Sequence, residues 1–347
     1  MLKGEELKRY SRQIILPEIG ITGQEKLKNA KVLMIGAGGL GCPVLQYLVA
    51  AGVGEIGIVD DDIVDISNLH RQILYGVNDV GGLKAVLAKE KLELLNPYTF
   101  ITAYPVRFIS ANAEAICGAY DLVIDGSDNF GTRYLVNDTC VALNKPLVFG
   151  SIFKFEGHVA VFNYHGGPDY RDVFPEAPPA DEVPNCAEIG VLGVLPGIIG
   201  TYMANEAIKI ICGIGETLSG KLMTMNALDN STSIFKIGKQ QKEGKTADIA
   251  PIPTIPHEIT MDQLNKWLNE STDEIYLVDV RETYEFEDYN IGGANIPLYE
   301  LKEHIDELPE DKKLVFCCQT GQRSKLAIQL LKPLYKGEMY SLKNGVI

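Results

Sequence analysis

The sequence predicts an α/β protein with a Rossmann-like, doubly wound, mostly parallel sheet and a second, smaller α/β domain. Three observations predict this fold class. Short apolar strands alternate with helical segments over the first 230 residues, and the run KVLMIG at 31–36 ends in a glycine-rich turn. The alternation restarts after a polar and then proline-rich stretch at 236–256. We assign residues 1–240 to the first domain, 241–256 to a linker and 257–347 to the second domain.

The predicted elements follow the strand–helix order that a parallel sheet requires. In the first domain we expect strands at 31–36, 55–60, 100–105, 121–128 and 146–152, with helices at 40–51, 82–95 and 191–212. The last helix should start or kink near Pro196, and the proline-rich residues 165–190 should form a long loop. In the second domain we expect helices at 260–269, 299–307 and 323–332 and strands at 274–280 and 313–318.

Composition narrows the classes of function. The 347 residues are 46% hydrophobic and 22% charged, which suits globular domains. No uncharged apolar stretch of about 18 residues is present, and the N-terminal residues lack an apolar signal core, so we expect neither a membrane span nor secretion. The net charge of −14 disfavours nucleic-acid binding. Seven scattered cysteines without a CxxC pair favour a reducing, cytoplasmic location.

A glycine-rich loop joins the first strand to the first helix. Gly36, Gly38, Gly39 and Gly41 allow the backbone to turn tightly and approach a phosphate, and the following helix N-terminus attracts the anion. Asp60 ends the next strand, where an acid can bind a ribose hydroxyl. The pattern predicts a nucleotide site but does not identify the nucleotide.

Polar residues further along the chain favour a triphosphate. They are Ser67, Asn68, Arg71, Lys84, Asp128 and Asn129. Arginine and lysine hold phosphoryl oxygens, and an aspartate can hold Mg²⁺. A nicotinamide cofactor needs no such set of cations, so an NAD-dependent oxidoreductase is a disfavoured alternative. A non-catalytic scaffold that binds a partner protein is another.

Four longer motifs resemble one enzyme family. RYSRQIILPEIG at 9–20, GAGGLG, VDDDIVDISNLHRQ and DGSDNFGTRYLVN are similar to the adenylyltransferases that include MoeB, ThiF and the ubiquitin-activating enzymes, over about residues 5–235. VPNCAEIGVLGVLPGIIG at 183–200 resembles MoeB in particular. The resemblance implies that MgATP is used to adenylate the C-terminal Gly-Gly carboxylate of a small ubiquitin-like protein.

The same resemblance implies roles for individual residues. Gly39 and Gly41 would line the phosphate turn and Asp60 would hold the ribose. Asn68, Arg71 and Lys84 would neutralise the phosphates, and Asp128 would hold Mg²⁺. In MoeB-like dimers the arginine that matches Arg12 reaches the partner's site, so Arg12 would act in trans in a homodimer.

Cys186 has two interpretations. It matches the cysteine of related enzymes that forms a covalent link to the partner protein, and it precedes a helix that could lower its pKa. A small buried hydrophobe is the alternative. Cys42, Cys117, Cys140 and Cys212 lie in apolar helical contexts and should be structural.

The chain departs from the MoeB pattern where relatives usually carry two zinc-binding CxxC pairs. Asp169 and Asp172 stand where the first pair would fall, and no cysteine lies between Cys212 and Cys317. We therefore expect no structural zinc. Ion pairs between this DxxD and a KxxK at Lys239 and Lys242 are one possible replacement, and two solvated charged loops are the other.

The second domain carries a cysteine loop between a strand and a helix. CQTGQRS runs from Cys318 to Ser324, and in a CxxxxR loop successive backbone N–H groups surround the sulfur and favour a thiolate and then a persulfide. This loop and LVDVRETYEFEDYNIGGANIPL at 277–298 resemble the rhodanese family over about residues 257–347. Arg323 closes the loop. Asp279 and Arg281 should form a buried bond that anchors the fold, with contact between Arg281 and the substrate as the alternative. Cys317 should face away from Cys318.

The sequence thus predicts a fused adenylyltransferase and sulfurtransferase. The carrier, a MoaD-like protein ending in Gly-Gly, would be adenylated and then receive sulfur from a persulfide on Cys318, which a donor such as a cysteine desulfurase would load. The product would be a thiocarboxylate for molybdopterin synthesis. The same chemistry for a thiamine or tRNA-thiolation carrier stays open.

Overall fold

An eight-stranded sheet organises the first part of the chain. The computed structural model describes residues 2–176, 190–239, 258–270, 274–298, 300–319, 321–332 and 334–346. The described residues fall into two compact units, the first up to residue 239 and the second from residue 258. The predicted linker at 241–256 and Cys186 lie outside the described residues.

The strands of the first unit are short and mostly apolar. They are β1 (Lys31–Ile35), β2 (Glu55–Val59), β3 (Phe100–Tyr104), β4 (Leu122–Asp125), β5 (Leu147–Phe153), β6 (Glu156–Phe162), β7 (Lys221–Asn226) and β8 (Ser231–Lys236). Their order is β3-β2-β1-β4-β5-β6-β7-β8. Pairing is parallel from β3 to β5 and antiparallel from β5 to β8. The strand order reverses between β1 and β4, where doubly wound sheets bind ligands.

Helices cover both faces of this sheet. They are α1 (Gly4–Arg9), α2 (Ser11–Ile14), α3 (Gly20–Asn29), α4 (Gly41–Ala51), α5 (Lys84–Leu95), α6 (Ser110–Gly118), α7 (Phe130–Ala142), α8 (Tyr170–Val173) and α9 (Leu195–Cys212). One core holds α3, α4, α5 and α9, and a second core on the other face holds α6, α7 and α8. Apolar strands buried from both sides confirm the predicted doubly wound, mostly parallel class.

Four cysteines of the first unit lie in these cores. Cys42 and Cys212 belong to one core, Cys117 and Cys140 to the other, and all four are free and buried. Burial raises the pKa of each thiol, because the charged form loses hydration. These side chains therefore pack as small hydrophobes, as the sequence predicts.

The second unit has a five-stranded parallel sheet. Its elements are β9 (Glu258–Ile259), α10 (Met261–Glu270), β10 (Ile275–Asp279), α11 (Thr283–Asp288), β11 (Ala294–Asn295), β12 (Lys313–Cys317), α12 (Gln322–Leu331) and β13 (Met339–Leu342). The order is β11-β10-β12-β13-β9. Every pairing is parallel. The cysteine loop follows β12, at the carboxyl edge of the sheet.

The structure corrects the predicted helix at 299–307. Among its described residues only the single 3₁₀ turn Ile305–Glu307 is helical. Leu301 and Leu308 reach the core from successive turns, and apolar spacings of three and four in the sequence look the same for such turns as for an α-helix. Pro309 follows at once and prevents further helix growth.

Two further predictions concern helix boundaries. Helix α9 begins at Leu195 with Pro196 in its first turn, where proline is tolerated, so the predicted start near Pro196 is confirmed. The expected loop at 165–190 contains the short helix α8, and its residues 177–189 lie outside the described part.

In the part of the chain that the structure describes, no helix is both long and apolar enough to cross a bilayer.

Candidate functional site

The glycine loop after β1 touches the loop after β4. Gly36 has φ +88°, and a Cβ placed there would lie 3.1 Å from the carbonyl oxygen of Gly126. A Cβ on Gly41 would lie 2.1 Å from the carbonyl oxygen of Gly36. Both glycines are therefore required for the backbone to fold tightly at the strand-order reversal. Gly38 and Gly39 complete the turn into α4.

Asp60 fastens the glycine loop to the end of β2. Its carboxylate accepts hydrogen bonds from the backbone N–H of Ala37 at 2.7 Å and of Asp62 at 2.9 Å. Burial raises the pKa of Asp60 to about 6, although the nearby Lys84 acts in the opposite direction. The expected ribose-binding acid thus lies directly beside the expected phosphate loop.

Two cations border the same loop. Lys84 begins α5, is almost fully buried, and places its Nζ 2.9 Å from Oδ2 of the exposed Asp62. Arg71 donates from Nη1 to the carbonyl oxygen of Ser67 at 3.0 Å. A Cβ on Gly39 would lie 3.7 Å from Cγ of Arg71, so that side chain runs along the loop. The 3₁₀ turn Ile66–Asn68 carries Ser67 and Asn68 at the surface nearby.

Asp128 and Asn129 follow β4 and face solvent. Oδ1 of Asn129 accepts a hydrogen bond from the backbone N–H of Thr132 at 2.8 Å and so caps α7. Asp128 is exposed at the edge of the sheet, beyond the Gly126 backbone that contacts Gly36. The structure therefore gives Asn129 a capping bond and leaves Asp128 facing outward.

Several residues that the sequence reasoning missed lie beneath this site. Oη of Tyr75 is 2.9 Å from the carbonyl oxygen of Ala37 and 3.1 Å from that of Lys84, so it ties the glycine loop to α5. Arg133 is buried and donates to the carbonyl oxygen of Ser127 at 3.2 Å. Among the described residues, buried oxygens of Gln72, Asp125 and Ser127 have no hydrogen-bond partner. A charged residue at the end of an apolar strand, as in LVID, was the available signal for Asp125.

Arg12 lies away from the glycine loop of its own chain. It is exposed in α2, and its neighbour Gln13 donates to the carbonyl oxygen of Ala51 at 3.2 Å. Ala51 ends α4, whereas the glycine loop precedes that helix. Eleven residues of helix span about 16 Å. The first unit thus brings together the other expected nucleotide residues but not Arg12.

In the second unit Cys318 is buried at the end of β12. Ser324 donates its backbone N–H to Sγ of Cys318 at 3.4 Å, and its Oγ lies 3.7 Å from the same sulfur. Oγ of Ser341 on β13 is 2.8 Å from Oγ of Ser324. Cys318 and Cys317 belong to different cores on opposite faces of the sheet, which confirms the expected alternation.

A C-terminal turn supports the cysteine loop, and the sequence reasoning did not find it. Val346 donates its backbone N–H to the carbonyl oxygen of Cys318 at 3.0 Å. Gly345 has φ +75°, and a Cβ there would lie 2.2 Å from the carbonyl oxygen of Gln319. Only glycine allows this backbone approach.

Two arginines of the second unit form ion pairs. Arg281 forms the expected buried bond to Asp279, with Nη2 to Oδ2 at 2.7 Å, and also donates to the carbonyl oxygen of Tyr289 at 2.6 Å. Arg323 donates from both terminal nitrogens to the carboxylate of Glu285, each at 2.6 Å. The bonds of Arg281 therefore stabilise the fold. Arg323, in contrast, is part of the cysteine loop itself.

The expected DxxD segment forms a helix cap. Asp169 accepts hydrogen bonds from the backbone N–H groups of Arg171 and Asp172, and Asp172 accepts one from that of Asp169. Lys242, from the suggested KxxK partner, lies outside the described residues. Within the described ranges, no three His, Cys, Asp or Glu side chains cluster as metal ligands would.

Comparison with known families assigns both units. Residues 10–246 match the ThiF family, and residues 260–346 match the rhodanese-like domain. The structure is similar in fold to a crystal structure of E. coli MccB, with a TM-score of 0.61 and 22% identity, covering 69% of this chain and 73% of that one.

The names of the relatives include an adenylyltransferase activity, and that of MoeZ also includes a sulfurtransferase activity. The probable adenylyltransferase/sulfurtransferase MoeZ of Mycobacterium tuberculosis is 43% identical over 367 residues, covering 100% of this chain and 93% of MoeZ. The sulfur carrier protein adenylyltransferase of Thermus thermophilus is 58% identical over 232 residues, covering 65% and 86%. The probable molybdopterin-synthase adenylyltransferase of Porphyra purpurea is 43% identical over 342 residues, covering 94% and 89%.

These matches leave the NAD-dependent oxidoreductase and the scaffold without support. The chain belongs to the ThiF family, carries a rhodanese-like domain, and is an adenylyltransferase that uses ATP joined to a sulfurtransferase.

Proposed function

We propose that the chain adenylates the C-terminal Gly-Gly carboxylate of a small, MoaD-like, ubiquitin-like carrier and then converts it to a thiocarboxylate for molybdopterin synthesis. One observation carries the proposal: a phosphate loop bordered by Asp60, Arg71 and Lys84 occurs in the same chain as a cysteine loop that surrounds Cys318. The printed names of the Thermus and Porphyra relatives support the carrier and the pathway.

In the first step the carrier's carboxylate attacks the α-phosphorus of ATP, and pyrophosphate leaves. Gly36, Gly38, Gly39 and Gly41 would hold the phosphates through backbone N–H groups. Lys84 and Arg71 would offset the negative charge that grows on pyrophosphate. Asp60 would accept a hydrogen bond from a ribose hydroxyl. Ser67, Asn68 and Asn129 would lie at the rim of the nucleotide site.

Asp128 fits a Mg²⁺ ligand. Its carboxylate is exposed at the edge of the sheet, and Mg²⁺ usually takes only one or two protein carboxylates, with waters and phosphate oxygens completing the shell. A bound Mg²⁺ would neutralise phosphate charge.

In the second step the persulfide sulfur on Cys318 attacks the acyl carbon of the adenylate, and AMP leaves. A thiol then attacks the Sγ atom of Cys318 and forms a disulfide with it, releasing the thiocarboxylate. We propose Cys186 for this resolving thiol or for a transient acyl link, and a cellular thiol for reducing the disulfide. A persulfide-carrying enzyme such as a cysteine desulfurase would reload Cys318.

The active species is proposed to be a homodimer in the cytoplasm, with domains 1–240 and 257–347 joined by residues 241–256. The distance of Arg12 from its own glycine loop favours action in trans. An apolar surface groove beside α4 and α9, with Tyr47, Val194 and Tyr202 exposed, would supply an interface for such a dimer. The described cysteines are all free, which suits a reducing compartment.

ATP–pyrophosphate exchange with purified carriers tests the proposal. One carrier ending in Gly-Gly is taken from each of the molybdopterin, thiamine and tRNA-thiolation pathways. Exchange with the molybdopterin carrier alone is expected. Exchange with another carrier would assign the chain to that pathway, and no exchange despite ATP binding by calorimetry would contradict carrier adenylation.

A further inference from the structure

Arg323 is engaged by a carboxylate from another element. Its Nη1 and Nη2 donate to Oε2 and Oε1 of Glu285, both at 2.6 Å. The two side chains are 23% and 17% exposed, so water screens the pair only in part. Arg323 is the only charged residue between positions 318 and 323. The pair therefore cancels the single cationic charge of the cysteine loop.

Glu285 is itself held in place. Its Oε2 accepts the backbone N–H of Glu282 at 2.9 Å, in the first turn of α11. Burial acts to raise the pKa of Glu285, but the hydrogen bonds from Arg323 and from the backbone of Glu282, together with the charges of Arg323 and Arg281, outweigh it. The pKa is therefore lowered, and the carboxylate stays ionised at neutral pH. Arg281 also attracts Glu285 but is neutralised by Asp279. Glu282 adds a further negative charge near Arg323.

We propose that Glu285 is a specificity-determining positioning residue: by pairing with Arg323 it disfavours small dianionic sulfur donors at Cys318 and so favours persulfides delivered by a protein. The inference rests on the proposed role of Cys318 as the sulfur-accepting nucleophile. An unpaired guanidinium beside Sγ would bind a small oxyanion through two parallel hydrogen bonds. With Glu285 in place, those donors are occupied and a nearby carboxylate repels the dianion.

Thiosulfate is the probe for this selectivity. The Cys318 thiolate attacks its outer sulfur, the S–S bond breaks, and sulfite leaves with the electron pair, which leaves a persulfide on Cys318. Cyanide then removes the sulfur as thiocyanate and restores the thiolate. In the full-length chain, Glu285→Gln should raise kcat/KM for thiosulfate about tenfold, mainly through a lower KM, because one repelling charge is removed. Glu285→Asp keeps the charge and should stay near wild type.

Glu287→Gln is the matched control, since Glu287 is an exposed carboxylate on the same helix. Its kcat/KM should not change. Cys318→Ala should abolish thiosulfate turnover. Turnover that survives in Cys318→Ala would overturn the proposed role of Cys318, which is separate from the inference about Glu285.

Alkylation measures the field at the sulfur without turnover. Iodoacetate and iodoacetamide both react with a thiolate but differ by one charge, so the ratio of their rates at the Cys318 peptide, followed by mass spectrometry, reports the local charge. Glu285→Gln should raise the iodoacetate-to-iodoacetamide ratio about tenfold. An unchanged or lower ratio, with unchanged or lower kcat/KM, would overturn the inference.

A measurement on the unmodified chain covers the case in which Glu285→Gln does not fold. If the pair and Glu282 leave the loop without net positive charge, added salt should leave the alkylation ratio constant or raise it. A ratio that falls as salt is added would show an exposed cationic charge at Cys318 and would overturn the inference.

Discussion

The carboxylate of Asp60 accepts a hydrogen bond from the backbone N–H of Ala37 at 2.7 Å. The acid after β2 thereby fixes the glycine loop after β1, 23 residues earlier in the chain. Burial of this carboxylate has an electrostatic cost: it raises the pKa of Asp60 to about 6 from an ordinary value of 3.8, although the hydrogen bond from Ala37 acts in the opposite direction. Removing the charge of Asp60 should therefore stabilise the fold, whereas keeping the charge should favour nucleotide binding.

Asp60→Asn should stabilise the first domain while weakening ATP binding. Between about pH 4 and pH 6 the folded chain holds more protons at Asp60 than the unfolded chain, so this group's contribution to stability falls as pH rises through that window. At pH 7.5 the substitution should raise the free energy of unfolding by up to about 3 kcal/mol. At pH 4 this gain in stability should vanish. Asparagine keeps one acceptor, for the backbone N–H of Ala37, but loses the acceptor for the backbone N–H of Asp62 and the charge for the ribose.

Thermal unfolding at both pH values and ATP titration calorimetry measure these effects. Asp61→Asn, a change at the exposed neighbour, is the control. Equal gains in melting temperature for the two variants would contradict a burial cost specific to Asp60.

Lys84→Met should lower the rate of pyrophosphate exchange about 100-fold. Lys84 is buried beside Asp62 at the border of the glycine loop. Its ammonium would therefore act on a phosphate that is bound directly at this loop. Lys89→Met, on the exposed side of the same helix, should retain the wild-type rate. Steady-state exchange kinetics test both variants, and a comparable loss in the two would argue for general damage to α5.

Mixing two inactive variants tests whether Arg12 acts in trans. Arg12→Ala and Lys84→Met should each lose exchange activity. When equal amounts of the two variants are mildly dissociated and re-associate at random, half of the dimers contain one chain of each variant. In each mixed dimer one of the two sites has both Lys84 and the partner's Arg12. About a quarter of the wild-type activity should therefore return. No recovery, with mixed dimers demonstrated by native mass spectrometry, would contradict the arrangement.

Cys318→Ala should stop thiocarboxylate formation and leave pyrophosphate exchange unchanged. Cys317→Ala is the matched control, because Cys317 faces the other core and burial raises the pKa of its thiol. That variant should keep sulfur transfer and lose about 1–2 kcal/mol of stability through the small cavity. Mass spectrometry of the carrier distinguishes the products, and loss of both activities in Cys318→Ala would contradict two separable sites.

Gly345→Ala should destabilise the second domain by about 3 kcal/mol and abolish sulfur transfer, with exchange intact. A methyl group there would meet the carbonyl oxygen of Gln319 in addition to the strain of positive φ. Gly292→Ala has a similar φ but meets nothing within 4 Å, so it should cost only about 1 kcal/mol. Chemical denaturation measures the difference, and equal losses would leave backbone strain as the whole effect.

Much of the fold could be predicted because its signals are local. The apolar run ending at Gly36 and the loop from Cys318 to Ser324 each place a strand, a turn and a helix within about a dozen residues. The helix predicted at 299–307 failed for the same reason: apolar residues spaced by three or four fit successive turns as well as an α-helix, and only packing of Leu301 and Leu308 decided between them.

The sequence by itself determined the two domain classes and the residue types of both sites, because glycine turns, strand-end acids and a cysteine loop are encoded by neighbours in the chain. Only the tertiary structure decided which of those groups are paired. Asp60 with Ala37, Tyr75 with α5, and Arg323 with Glu285 lie between 9 and 38 residues apart. Such contacts depend on strand order and on burial, and the spacing of residues along the chain predicts neither. Burial is also what raises the pKa of Asp60.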